Sequence, residues 1–431
     1  LLFLVYNKEY IDPTLIMKVI NNMSFRLHFK NFKSLWDVDF EPGMVNVFIG
    51  ANGSGKSALL EAIGVLSAAM AGSVDDASLQ QRGVRLGTPS LYKSSFRNHK
   101  IPLTIQLGID WENPYGDWKY NVHLSNPIDK PKPAWQYHAE KLHKGNKSIF
   151  GRSGNTKHKI ENFPEVEVDS YKGLLNFLQG IHIENNPVYQ VKDLYNTFSH
   201  YAIYTPNTST LRGIQSDSSQ REPVGLFGGR LSEAVEDLLN LDEEKFGNLE
   251  LDELYELLDW VGDLSIGKPN REILSPSVPT TQKIIRFTDA YMNEKRNELT
   301  PYDASEGSLY VLFLLTLAMH ASSSKMFAID NFDQALNPRL ARAVTKQFSQ
   351  QVIESGKIAF ITTHNPTTLD GLNLRDERIR LFSVNRNIKG HTQVTRITVT
   401  DELLEMGKQG YSLSRLWVMG RLGGVPNIWD V

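Results

Sequence analysis

An α/β fold with a mixed sheet, largely parallel and covered by helices, with an antiparallel portion near its N-terminal end, is what this sequence of 431 residues predicts. Residues 24–48, "SFRLHFKNFKSLWDVDFEPGMVNVF", alternate apolar and polar side chains around the break at Pro42-Gly43, the period of two that belongs to strands. After residue 300, short apolar runs of strand type alternate with longer helical patterns, as in βαβ units. Between them lies a long polar stretch that fits neither pattern.

The N-terminal residues predict two or three strands, the last running into "IGANGSGKSALLEAIGVLSAAM", a glycine-rich turn and then a helix. A strand pair follows at "IPLTIQLGIDW" and "DWKYNVHL", joined by the turn-rich "ENPYG". From about residue 126 to 215 the chain is polar and irregular, with one strand pattern at "HYAIYTP". Residues 231–264 read as acidic helices with leucines at helical spacing, a solvated face over a small core. The last third predicts a helix at 308–321, a strand at "KMFAID" and a helix around 338–354. Strands at "KIAFITTH", "RIRLFSV" and "TQVTRITV" and a helical tail complete it. There is no internal repeat and no heptad run, so no long coiled coil separates the two halves.

Composition narrows the function classes. A net charge of −3 gives no overall basic field, so contact with nucleic acid needs a local patch. The absence of cysteine excludes disulfides, thiolate metal sites and cysteine nucleophiles, and a cytoplasmic setting is expected. No apolar run reaches the roughly 20 residues that span a bilayer, "LYVLFLLTLAMHA" being too short, so no membrane partner is expected. The native start is expected at Met17 or Met23, with the preceding residues an extension.

Gly50-Ala51-Asn52-Gly53-Ser54-Gly55-Lys56-Ser57 matches G-x-x-x-x-G-K-[ST] between a strand and a helix, and Ala58 continues it into the helix. The glycines let backbone N–H groups wrap phosphates, Lys56 reaches the outer phosphates, and Ser57 is a Mg²⁺ ligand. This is a nucleoside triphosphate site, with ATP favoured because no guanine-reading motif is present. Asp330 closes the strand "MFAI", where a carboxylate completes the Mg²⁺ shell against Ser57. Between them, Ser305 N-caps an apolar helix, and Glu306 and Gly307 open its first turn, where a phosphate can approach exposed N–H groups. His364 ends the strand after Asp330, beside the expected nucleotide.

The order P-loop, Ser305-Glu306-Gly307, Asp330, His364 spans residues 50–364 and resembles the ABC/SMC-like ATPases. Within them the chain is similar to the branch holding RecF-like proteins and the overcoming-lysogenization-defect (OLD) ATPases of bacterial antiphage defence; "GLFGGRLSEAVEDLL" and "ALNPRL" carry that likeness. The resemblance implies an ABC-type ATPase head with an antiparallel β subdomain and a helical insert. It implies a head-to-tail homodimer or higher homo-oligomer in which Ser305 and Gly307 reach the partner's γ-phosphate. It makes His364 a switch histidine and Asp333 to Asn337 a D-loop, and places "KNFKSL" (Lys30 to Leu35) near the adenine. The glutamine loop is poorly marked, with Gln80 or Gln81 standing for it. On this scheme residues 24–125 and 301–400 are the halves of the head, 126–300 the polar and helical insert, and 401–431 a tail that packs on its own core or docks a partner.

Two departures matter. Where such enzymes keep a glutamate to activate water, this chain has Asn331, whose amide is no base near neutral pH. Slow hydrolysis or stable ATP occupancy is therefore expected, with Asp333 as a substitute base if the loop bends inward. OLD-type nucleases also carry a TOPRIM domain, and the 67 residues after His364 hold no Asp-x-Asp pair, so this chain is not expected to cut DNA itself. The expectation is a subunit that controls a separate effector, a nuclease, in antiviral defence. The alternatives are a RecF-like repair ATPase clamping duplex DNA and an ATP-dependent scaffold without nucleic acid. The basic segment Lys141 to Lys159, with Lys144, Lys147, Arg152 and Lys157, is either a solvated loop or a contact to the DNA backbone.

Overall fold

The structure, a computed structural model, describes residues 24–153, 157–158, 166–181, 187–279 and 282–424. Met17, Met23, Lys159 and the last seven residues of the tail lie outside them. The chain opens with β1 (Phe25–Phe32), β2 (Leu35–Phe40) and β3 (Val45–Ile49), then helix α1 (Lys56–Met70). A short α2 (Asp76–Gln80) precedes β4 (Thr104–Asn113), β5 (Gly116–Ser125), β6 (Gln136–Lys144) and β7 (Lys147–Ser153). Next come α3 (Lys192–Ser199), β8 (Ala202–Tyr204), α4 (Leu231–Leu239), β9 (Val261–Gly267) and β10 (Ile284–Asp289). The last third is α5 (Glu306–Met319), β11 (Met326–Ile329), α6 (Pro338–Glu354) and β12 (Ile358–Thr362). It closes with β13 (Ile379–Arg386), β14 (Thr392–Ile397), α7 (Asp401–Lys408) and α8 (Leu413–Val418).

Two six-stranded sheets form the framework. One is antiparallel throughout, in the order β2-β1-β4-β5-β6-β7. The other runs β8-β11-β12-β3-β13-β14, parallel except for β14. Its central strands, "VNVFI", "MFAI" and "IAFIT", are buried on both faces, which is why they read as continuous apolar runs. Val45, Val47 and Ile49 face one core with α5 and α6, while Phe48 faces a second core shared with α1 and the antiparallel sheet. Helix α5 is buried from Ser308 to Met319, as a helix apolar all round must be. Its C-terminal carbonyls are closed by the buried Lys357, whose Nζ donates to Ala318 O at 2.8 Å and His320 O at 2.7 Å. Among the described residues no helix is long and apolar enough to cross a membrane.

Residues 126–215, read as irregular but for the strand at "HYAIYTP", also supply β6 and β7, because tertiary pairing supplies what local pattern lacks. β6 and β7 extend the antiparallel sheet past residue 125, and β8 joins the parallel sheet beside β11. Residues 261–264, read as the end of a helical run, open β9, which pairs with β10. Gly262 there weakens a helix by about 1 kcal/mol relative to alanine.

The basic segment divides in the same way. A register shift in the β5–β6 pairing puts both Tyr137 and Glu140 inside. Arg152, expected on the surface, has a fully buried side chain and pairs with the equally buried Glu140 at 3.0 Å. Its guanidinium lies 4.7 Å from the centre of the Tyr137 ring and donates to the carbonyls of Asp169 and Lys172. Lys144 Nζ donates to Gln190 Oε1 at 2.9 Å. Lys141 and Lys147 remain exposed on the β6–β7 hairpin.

Candidate nucleotide site

The carboxyl ends of β3, β12 and β11, the edge of an open parallel sheet where ligands bind, lie together. β3 delivers the P-loop, β11 ends at Asp330, and β12 ends at Thr362, followed by Thr363 and His364. A cavity of about 350 Å³ opens there, lined by Asn52, Gly53, Gly55, Lys56, Ser57 and Ala58 together with Lys33, Ser34, Arg85, His364 and Arg386. No carboxylate is among the lining residues, so the wall suits a polyanion.

The loop needs its glycines for two reasons. Gly55 has φ 117°, and a Cβ there would stand 2.3 Å from Thr392 Oγ1. Thr392, at the start of β14, holds the loop: its Oγ1 lies 2.8 Å from both Ser54 O and Ser34 Oγ. Lys56 folds back onto the loop, donating to Gly50 O at 2.7 Å and Ala51 O at 3.1 Å. The Ser54 hydroxyl is buried without a hydrogen-bond partner among the described residues, a donor a phosphate oxygen would satisfy.

Ser57 and Asp330 meet across 273 positions of sequence, Ser57 Oγ donating to Asp330 Oδ2 at 2.8 Å. Thr362 Oγ1 donates to Asp330 Oδ1 at 2.5 Å and accepts the N–H of Asn331 at 2.9 Å. Adjacent hydroxyl and carboxylate oxygens are hard donors of the kind Mg²⁺ takes. Among the described residues there is no group of three or more His, Asp or Glu able to hold a metal alone, so phosphate oxygens and water would complete the shell. Asn331 itself adopts the left-handed conformation, φ 59°, which asparagine tolerates better than most residues.

Burial lowers the Lys56 ammonium to about 8, with Asp330 opposing the shift. The cationic form therefore dominates below pH 8 and is lost as pH rises through that value. ATP affinity is expected to hold steady from pH 6 to 7.5 and then to fall by up to about tenfold per pH unit above 8, the limit for linkage to one proton. Titration calorimetry across pH checks this; a flat profile to pH 9.5 would exclude it. Burial also lowers the His364 imidazole, Lys56 lowers it further, and Asp333 and Asp330 oppose both. His364 is thus neutral at pH 7, and both carboxylates lie near it.

Ser305 accepts the N–H of Ser308 at 3.1 Å as the cap of α5, while Glu306 accepts from Thr208. A Cβ on Gly307 would lie 3.3 Å from Ala335 O, in the 333–337 loop. None of these three lines the cavity of the single chain. Gln80 and Gln81 do not line it either; the segment after them returns along α1 and brings Arg85 instead. Sequence reasoning missed Arg85, Thr362, Arg386 and Thr392. Only Thr362 carried a readable signal, a polar residue closing a buried apolar strand.

This fold and site define a P-loop nucleotide-binding protein with an α/β core. The chain belongs to the family described as "AAA domain, putative AbiEii toxin, Type IV TA system", which matches residues 45–370. A stretch of 40 residues is 60% identical to the DNA replication and repair protein RecF of Heliobacterium modesticaldum, covering 9% of this chain and 10% of that protein. Similar solved structures include the SMC head domain from Thermotoga maritima, with TM-score 0.44, 12% identity, and coverage of 87% of this chain and 99% of that one. An Smc head with an extended coiled coil, bound to the C-terminal domain of ScpA from Pyrococcus furiosus, gives 0.48, 12%, 90% and 100%.

Proposed function

We propose that this chain is an ATP-binding subunit that dimerises around ATP, turns it over slowly, and controls a separate effector, a nuclease, in cytoplasmic antiviral defence. The observation that carries the slow turnover is the hydrogen-bonded set Ser57, Asp330 and Thr362 with Asn331, an amide, next in line. Mg²⁺, when bound, would neutralise phosphate charge against Ser57 and Asp330. Lys56 would leave the Gly50 and Ala51 carbonyls for the outer phosphates, and neutral His364 would donate or accept one hydrogen bond at the same end. Ser305 and Gly307 would serve a second copy's nucleotide, which accounts for their standing off the chain's own cavity.

A second reading, a RecF-like ATPase clamping duplex DNA, draws on the 40-residue likeness to RecF. On that reading the exposed Lys141 and Lys147, rather than Arg152, would carry the contact.

Nucleotide content after purification, beside single-turnover hydrolysis, tests the proposal. Wild type is expected to retain ATP with little turnover, and Lys56→Ala to carry none. Rapid hydrolysis by wild type, lost in both Lys56→Ala and Asp333→Ala, would replace it with a cycling ATPase whose base is Asp333.

A further inference from the structure

Glu61 is an anomaly in the P-loop helix. Its side chain is 3% exposed, in a helix whose buried residues after Lys56 are otherwise apolar or small. It accepts two cations from different parts of the chain: Arg85 Nε at 2.7 Å through Oε1, and Lys33 Nζ through Oε2. Both cations line the nucleotide cavity and Glu61 does not.

Each cation is delivered by a separate device. Lys33 sits in the β1–β2 turn at φ 49°, with its ammonium 5.3 Å from the centre of the Tyr92 ring. The segment after α2 runs back along α1. Arg82 Nε donates to Ser67 Oγ at 2.8 Å, a Cβ on Gly64 would meet Val84, and Arg85 reaches Glu61. Tyr92 ties the two together: its Oη donates to Arg85 O at 2.7 Å, and its carbonyl accepts the Lys33 N–H at 2.7 Å. Arg85 meets Glu61 through Nε, and its side chain is 70% exposed, so among the described residues both Nη groups stay open to a bidentate acceptor.

We infer that Glu61 is a positioning residue for nucleotide: it orients Arg85 and Lys33 as a preformed cationic wall of the cavity for phosphate oxygens. The inference rests on the reading of the cavity as a nucleotide site. A rigid, pre-paired guanidinium costs less to order on binding than a free one. Replacing the carboxylate by an amide leaves the packing in place but removes the charge that aims both cations.

Titration with MgATP, on wild type, Glu61→Gln, Arg85→Gln and the double variant, each well below its melting temperature, tests it. Glu61→Gln is expected to weaken ATP about tenfold and Arg85→Gln less, and the double variant little more than Glu61→Gln alone, because Glu61 acts through Arg85 and Lys33. Glu61→Asp, which keeps the charge, is expected to recover part of the loss and serves where Glu61→Gln folds poorly. Wild-type ATP affinity in Glu61→Gln, or single losses that multiply in the double variant, would overturn the inference and leave the nucleotide site intact. Failure of wild type itself to bind ATP would overturn the underlying reading as well.

Discussion

The Asn331→Glu variant is expected to hydrolyse bound ATP about a hundredfold faster than wild type in a single turnover, the lower end of what a positioned general base contributes. The hydrogen bonds that hold the residues beside it are already in place. Asp330 is oriented by Ser57 and Thr362, and Thr362 also fixes the Asn331 backbone through its N–H. What is missing is a group that can accept a proton. The gain is limited by backbone strain: position 331 has φ 59°, a conformation that costs most L-residues about 1–2 kcal/mol. Some loss of thermal stability should therefore accompany the gain in rate. Asn331→Asp separates the two effects, since aspartate tolerates this conformation better but reaches less far. Rapid-quench measurement on both variants is the check; rates equal to wild type in both, with ATP still bound, would mean that no water sits within reach of this position.

The second large effect concerns stability. Glu140→Leu is expected to destabilise the protein by about 3–5 kcal/mol, because it strands a buried guanidinium. Arg152 would keep its carbonyl partners but lose the carboxylate 3.0 Å away, while the N–H groups of Leu174 and Leu175, at 2.7 and 3.0 Å from Glu140, would lose their acceptor. The double variant Glu140→Leu/Arg152→Met is expected to recover part of that loss, since it removes the stranded charge. Denaturant unfolding of the three proteins decides; equal stability of single and double variants would show that the pair does not act as a unit.

The chemistry was legible in the sequence where the residues that act together are also neighbours in it. The P-loop from Gly50 to Ser57 is one continuous turn whose glycines and lysine have a single physical use. Asp330 and His364 were legible because each closes a short apolar run that a parallel sheet buries on both faces. Strand edges, helix α5 and helix α6 followed from periodicity within a few residues. What escaped was long-range. β6 and β7 are polar, and they are strands because neighbouring strands pair with their backbone groups. Arg152 looked like a surface cation because its counter-charge, Glu140, lies on the adjacent strand in a register altered by a bulge.

By itself, then, the sequence determined the class of fold, the glycine-rich loop, the carboxylate that faces it and the asparagine that follows that carboxylate. Local backbone geometry and burial on two faces are properties of contiguous residues. Only the tertiary structure decided that Thr362 orients Asp330, that Thr392 holds the loop, and that Glu61 gathers Lys33 and Arg85 against it. Those contacts join segments tens to hundreds of residues apart, and their partners are chosen by packing of the two sheets around α1 rather than by any local preference of the chain.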